Sequence, residues 1–193
     1  MAPIARPRLS VDVIVDAAVW ILDEEGLDGL RTTNVAKRLG VSQPALYSHV
    51  ASLDELRAAV AARGAAELSD RVRDAVGNRV GDDAVRAMAR AYRDYVRQHP
   101  GRYLLQLSAP RTPAYAQATE RAAEAVRSVL RSYGLDDEQV RQAHVAFRAA
   151  VHGFVHLEAR DALGSGAEAP DAHFDFFIGL YAAGLRSLAG PIR

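Results

Sequence analysis

Cysteine is missing from all 193 residues, which rules out disulfides, thiolate metal sites and a cysteine nucleophile, and fits a reducing compartment. Long apolar runs are missing too: no window approaches the roughly 18 consecutive apolar residues that a membrane span needs. The opening MAPIARPRLS has no apolar h-region, so no secretory signal is expected, and the cytoplasm is the expected location. Net charge is absent as well, with 24 basic residues balancing 24 acidic ones. A neutral chain has no global field to draw it to a membrane or a polyanion, so any such partner must be met by a local patch. Strand-like alternation is lacking, whereas helical periodicity and alanine are abundant. An all-α fold of about nine helices is the expectation.

One further absence is local. From Gly29 to Leu53 no residue is Asp or Glu. The same stretch holds Arg31, Lys37, Arg38 and His49 among many hydroxyl and amide side chains. Helix signals frame it. Ser10 is a good N-cap, and Val11, Ile14, Val15, Ala18, Ile21 and Leu22 form the stripe of a first helix that stops near Gly26. Thr32 or Thr33 is the expected cap of a short second helix ending at Leu39, with Gly40 placed for the left-handed residue that closes it. Ser42 is positioned to cap a third, with Pro44 in its first turn. Ser52, followed by Asp54 and Glu55, starts a fourth.

Beyond a loop at 77–83, a helix is expected from about Ala84 to His99. His99-Pro100-Gly101 breaks it, and RYLLQL is read as a short turn. Thr112-Pro113 opens the next helix, Asp136 another reaching about Leu163, and Ala172 a last one to Leu188 after the linker GSGAEAP. The expected domains are residues 1–52 and 53–193.

A longer helix, a short helix, a turn and another short helix make a helix-turn-helix. Val35, Ala36, Leu39, Val41, Leu46 and Val50 are the expected inward positions. The outward face then presents Gln43, Pro44, Ala45, Tyr47, Ser48 and His49, with Ser42 at its start and Thr32, Thr33 and Lys37 beside it. Glutamine can bond adenine bidentately, alanine and proline can touch a thymine methyl, and the hydroxyls are good phosphate donors. A carboxylate here would face two strands of phosphate, which explains the missing acids. Tyr47 is equally compatible with packing, and Arg6 and Arg8 with a solvated terminus as with an arm that reaches DNA.

At these residues the segment LRTTNVAKRLGVSQPALYSHVASLDEL resembles the DNA-binding motif of the tetracycline-repressor (TetR) family of bacterial transcriptional regulators. The resemblance runs from about Ser10 to Leu56 and rests on the threonine pair, A-x-x-L-G-V-S and L-Y-x-H-V. It implies an all-helical homodimer with an N-terminal reading domain and a C-terminal ligand-binding and dimerisation domain, released from its operator by a small molecule. It also implies operator contacts at Gln43, Pro44, Tyr47 and His49 and a phosphate contact at Thr32. Leu53 replaces a basic residue of that motif, and Ala45 and Ser48 also differ, so the operator sequence does not carry over. HPGRYLLQL and VHGFVHLEARDALG resemble a subgroup with a Trp-His-Gly signature, with Val151 here in place of the tryptophan.

Tyr92, Tyr95, His99, Tyr103, His144, Phe147 and Arg148 combine apolar bulk with polar tips, as ligand-pocket residues do, and are equally able to fill a core. The last helix is apolar nearly all round. A helix buried on every side needs partners on both, so Phe176, Leu180, Ala183 and Gly184, with His152 and His156, are candidates for a two-fold interface. His152 and His156 are also at a spacing that can ligate a metal, but His144 is rotated roughly 80° from His152 and H-E-x-x-H is absent. No metal, cofactor or catalytic residue is expected, since no acid–base pair or nucleophile constellation stands out. The expected partners are a duplex operator, a second copy of the chain and a small-molecule effector, with no membrane. An architectural DNA binder without effector and a helical metalloenzyme are the competing readings.

Overall fold

The computed structural model describes residues 8–164 and 170–189. Arg6 and linker residues 165–169 lie outside them; Arg8 is exposed. Nine helices and no strand occur among the described residues. They are α1 (Val11–Gly29), α2 (Thr32–Leu39), α3 (Gln43–Tyr47), α4 (Leu53–Val76), α5 (Gly81–Gln98), α6 (Pro100–Ser108), α7 (Pro113–Arg131), α8 (Asp137–Glu158) and α9 (Pro170–Leu188).

Local chemistry explains most boundaries. Ser10 caps α1 as expected, its hydroxyl accepting the Val13 N–H at 3.3 Å. Gly26, at φ 71° and ψ −168°, interrupts α1, so only one further turn follows it. The cap of α2 differs from expectation: Arg31 is the N-cap, without a side-chain hydrogen bond, and Thr32 is already helical. Gly40 ends α2 at φ 66° and ψ 34°, a left-handed conformation that a side chain would strain. The N–H groups of Gly40 and Val41 then reach back to the carbonyls of Lys37 and Ala36 at 3.2 and 3.0 Å.

At α4, Ser52 accepts the Glu55 N–H at 3.0 Å while the Glu55 carboxylate accepts the Ala51 N–H. Asp136 and Gln139 form a reciprocal capping box at α8. RYLLQL is helical rather than a turn. Pro100 occupies the first position of α6, where it suits a helix start, and α6 lies along α1, which supplies the burial that a nine-residue segment lacks by itself. Helix α8 stops at Glu158, short of the expected Leu163.

By packing, the chain divides into two compact units. One comprises the chain up to Ala65 together with His99–Ala116; the other comprises Ala66–Gln98 and the chain from Gln117 onward. The division falls inside α4 and assigns α6 to the N-terminal unit.

The first unit has a core of Ile14, Ala18, Ile21, Leu22, Leu30, Val35, Leu46, Val50 and Leu56, all buried. Gly101 sits so close to α1 that a Cβ there would lie 2.7 Å from the Leu22 carbonyl oxygen.

In the second unit α5, α8 and α9 pack on one another around Val85, Met88, Val151, Phe174 and Ile178. Arg93 of α5 is buried among them. It meets Glu158 through Nε at 2.9 Å and the Asp171 carboxylate at 2.8 Å, and its guanidinium lies 4.7 Å from the Phe174 ring centroid. Donating to the Glu158 carboxylate raises the Arg93 pKa above its ordinary value.

The five-residue α3 depends on its core anchor. Leu46→Ala is expected to lower the unfolding free energy by about 3 kcal/mol, measured by urea melts; a loss under about 1 kcal/mol would show that α3 is held otherwise.

Candidate nucleic-acid interface

Residues 32–50 separate cleanly into two faces. Val35, Ala36, Leu46 and Val50 are buried, and Leu39 and Val41 half-buried. Thr33, Lys37, Ser42, Gln43, Pro44, Tyr47, Ser48 and His49 are exposed, while Thr32 and Ala45 are intermediate. The outward set named from the sequence therefore lies on the accessible side of α2 and α3, joined by the turn at Gly40 and Val41.

Several contacts order this face. Ser42 accepts the Ala45 N–H at 3.4 Å, capping α3. Ser48 closes the other end by donating its hydroxyl to the Ala45 carbonyl at 2.7 Å. The hydroxyls of Thr32 and Tyr47 lie 3.4 Å apart and couple the start of α2 to the end of α3. Because Arg31 rather than Thr32 holds the cap position, the Thr32 hydroxyl is available for this contact. Asn34 fixes the approach to α2, donating to the Gly29 carbonyl at 2.9 Å and to Glu25 at 3.4 Å.

Arg38 was not among the expected contacts. Its guanidinium stacks 3.2 Å from the centroid of Trp20 on α1, which holds an exposed cation in the same unit. The visible signal was the chain's single tryptophan on the outer side of an amphipathic helix.

The remaining candidates fall elsewhere. His99 and Tyr103 belong to the first unit, whereas Tyr92, Tyr95, His144, Phe147 and Arg148 belong to the second. Tyr103 and Tyr95 are buried, and Tyr95 donates its hydroxyl toward Glu67 at 3.5 Å. Phe147 is buried with its ring tilted against that of Tyr181, centroids 5.4 Å apart, while Arg148 is exposed. Burial, reinforced by Arg127 and Arg148, holds the His144 pKa below its usual value, so this imidazole is neutral at pH 7. An apolar cleft of about 430 Å³ in the first unit is lined by Ala58, Ala59, Ala62, Pro110 and their neighbours and by none of these candidates. Sequence reasoning missed Gln106, buried on α6, whose amide nitrogen has no partner among the described residues.

On α9, Phe174, Ile178, Ala182 and Leu185 face the core. Phe176 and Leu180 stand 70% and 60% exposed, and Ala183 and Gly184 are exposed beside them. A Cβ at Gly184 or Gly179 would meet nothing within 4 Å. On α8, His152 is half-buried with the Tyr92 hydroxyl 3.0 Å from its Nε2, and His156 is half-buried one turn on. No cluster of three His, Cys, Asp or Glu able to hold a metal lies among the described residues. Nor is any described helix long and apolar enough to cross a membrane.

Residues 14–60 match the family described as bacterial regulatory proteins, tetR family. Residues 85–181 match that described as tetracyclin repressor-like, C-terminal domain. The chain is 45% identical over 159 residues to the uncharacterized HTH-type transcriptional regulator Rv0681 of Mycobacterium tuberculosis, covering 80% of this chain and 73% of that protein. It is 33% identical over 164 residues to the HTH-type transcriptional repressor DrrR1 of Streptomyces coeruleorubidus, covering 82% of this chain and 55% of that one. A tetracycline repressor variant from Acinetobacter baumannii AYE, solved in complex with minocycline, superposes with a TM-score of 0.72 at 27% identity, covering 95% of this chain and 99% of the other.

Two substitutions at Ser42 separate helix capping from charge. Ser42→Ala should cost about 1 kcal/mol, lowering the melting temperature by about 2–4 °C. Ser42→Asp keeps a capping oxygen and so the melting temperature, but adds an anion to the acid-free face and should weaken duplex binding about tenfold. Equal affinity for the Asp variant and the parent would mean that this face does not meet phosphate.

Proposed function

The chain belongs to the TetR family of bacterial transcriptional regulators, proteins that regulate transcription rather than catalyse reactions, and from that premise we propose that it is a cytoplasmic, ligand-responsive repressor that binds a near-palindromic operator as a homodimer. The observation that carries the reading is the acid-free surface of α2 and α3. It is exposed, capped at both ends of α3 and built on a buried apolar layer. Gln43, Pro44, Ala45, Tyr47, Ser48 and His49 supply base-edge and methyl contacts in the major groove, while Thr32, Thr33, Lys37 and Ser42 hold phosphates. The name of DrrR1 supports repression, and the minocycline complex of a structural neighbour supports a small-molecule effector. Tyr92, His144 and Arg148 are candidate effector contacts.

The exposed apolar side of α9 supports a dimer. Phe176, Leu180, Ala183 and Gly184 leave water when a second copy covers them, with small residues permitting close helix approach. Two α3 helices then enter successive major grooves about 34 Å apart. Effector and operator oppose each other because each favours a different dimer geometry, and by linkage each weakens the other equally.

Duplex affinity should fall about a thousandfold between 50 and 200 mM salt, which is what Arg31, Lys37 and Arg38 of each protomer would give if each neutralised one phosphate, despite zero net charge. Gel-shift titration reads this, and a flat response excludes a phosphate-bound face. Tyr47→Ala and Gln43→Ala should abolish operator binding with the dimer intact; normal binding by both would mean that α3 is not the reading helix. Phe176→Glu with Leu180→Glu should yield a folded monomer by sedimentation that no longer binds DNA, and an intact dimer would remove α9 from the interface.

A further inference from the structure

The reading unit contains a helix that the sequence places far away. Helix α6 packs along α1, not merely beside it. Arg102 holds Asp23 in a two-point grip, Nε to Oδ1 at 2.8 Å and a terminal nitrogen to Oδ2 at 2.5 Å, across 79 residues of sequence. His99 Nδ1 approaches the same carboxylate at 3.6 Å. One residue earlier, Gly101 rests against the Leu22 carbonyl, where any side chain would collide. The Arg102 and Asp23 side chains are only 13% and 27% exposed. The pair is thus shielded and bidentate, unlike the solvated single contacts that contribute little.

The place on α1 where this grip acts matters. Leu22 and Asp23 form the last regular turn before the Gly26 kink. From there the chain turns through Gly29 and Arg31 into α2, with Asn34 bonding back to Gly29 and Glu25. Thr32 then meets Tyr47. Three carboxylates, Asp23, Glu24 and Glu25, crowd the negative end of the α1 dipole just before the kink, a poor arrangement without a cation. Arg102 provides that cation and so fixes the direction in which α1 hands the chain to α2 and α3.

We propose that Arg102 is a positioning residue for DNA binding: it touches no phosphate, but by gripping Asp23 it sets the angle at which α2 and α3 present themselves. The reading unit is therefore completed by α6, and a fold division after residue 52 would leave it without this support. The inference rests on the DNA-binding reading above. A protein whose reading helices are correctly aimed only part of the time binds with affinity reduced by that fraction.

The test uses full-length protein and a duplex selected for binding from a random-sequence pool. Arg102→Ala should weaken binding about tenfold while leaving the slope of log K against log salt unchanged, since no phosphate contact is lost. Lys37→Ala, a phosphate contact, should reduce that slope instead. The charge exchange Asp23→Arg with Arg102→Asp should restore most of the affinity. In hydrogen exchange, duplex binding should slow the α6 amides in the parent and not in Arg102→Ala. Parent-like affinity in a folded Arg102→Ala protein, a changed salt slope, or α6 exchange that ignores the duplex would overturn the inference. A parent that binds no duplex would remove the DNA-binding reading and this inference with it.

Discussion

A helix of five residues has no stability of its own, and in this protein such a helix carries the exposed set that we propose meets a duplex. Isolated helices shorter than about 12–15 residues are marginal in water, so α3 exists because Leu46 and Val50 are buried behind it and Ser42 satisfies its first turn. That anchoring frees the opposite side of α3 for recognition. Gln43, Pro44, Tyr47 and His49 contribute little to the core and can be chosen for what they meet. The exclusion of carboxylates from residues 29–53 is the complementary constraint, because one misplaced anion would oppose the phosphates of the proposed duplex partner.

The second unit solves a different problem with related means. Arg93 is a buried cation, and a buried charge is costly unless paired. Glu158 ends α8 and Asp171 begins α9, so the single guanidinium ties the two helices across their connection. Helix α9 is thereby held with Phe174 and Ile178 inward and Phe176 and Leu180 outward. The outward residues form an apolar surface that a second copy would cover. At the other end of α9, Arg186 and Tyr133 both donate to Asp82. Burial alone would raise the Asp82 pKa, but these bonds outweigh it and hold the carboxyl below its ordinary value.

Much of this was legible from residues alone, and what was not shares one cause. Ser10, Gly40, Ser42 and the inward set around Leu46 followed from capping chemistry and periodicity, both local. The outward side of α3 followed by subtraction. Arg31 displacing Thr32 as a cap shows the limit of local rules, since Thr32 gains a contact with Tyr47, fifteen residues on. RYLLQL forms a helix because α1 is there to receive it. The grips of Arg102 on Asp23 and Arg93 on Glu158 join positions 79 and 65 apart, which no helical pattern relates. Pocket candidates suffered similarly: helical periodicity gives the face a side chain occupies, not the neighbour it meets, and His99 and Tyr103 fell in a different unit from Tyr92 and His144.

The proposed mode of binding puts one small acid-free surface into the major groove, twice per dimer. Methylation-interference footprinting on a selected duplex tests it directly, because a methyl group at guanine N7 or adenine N3 blocks one groove and not the other. Two clusters of major-groove interference are expected, centred about 10–10.5 base pairs apart and related by approximate two-fold symmetry. Interference confined to the minor groove, or a single cluster with no symmetric counterpart, would contradict it.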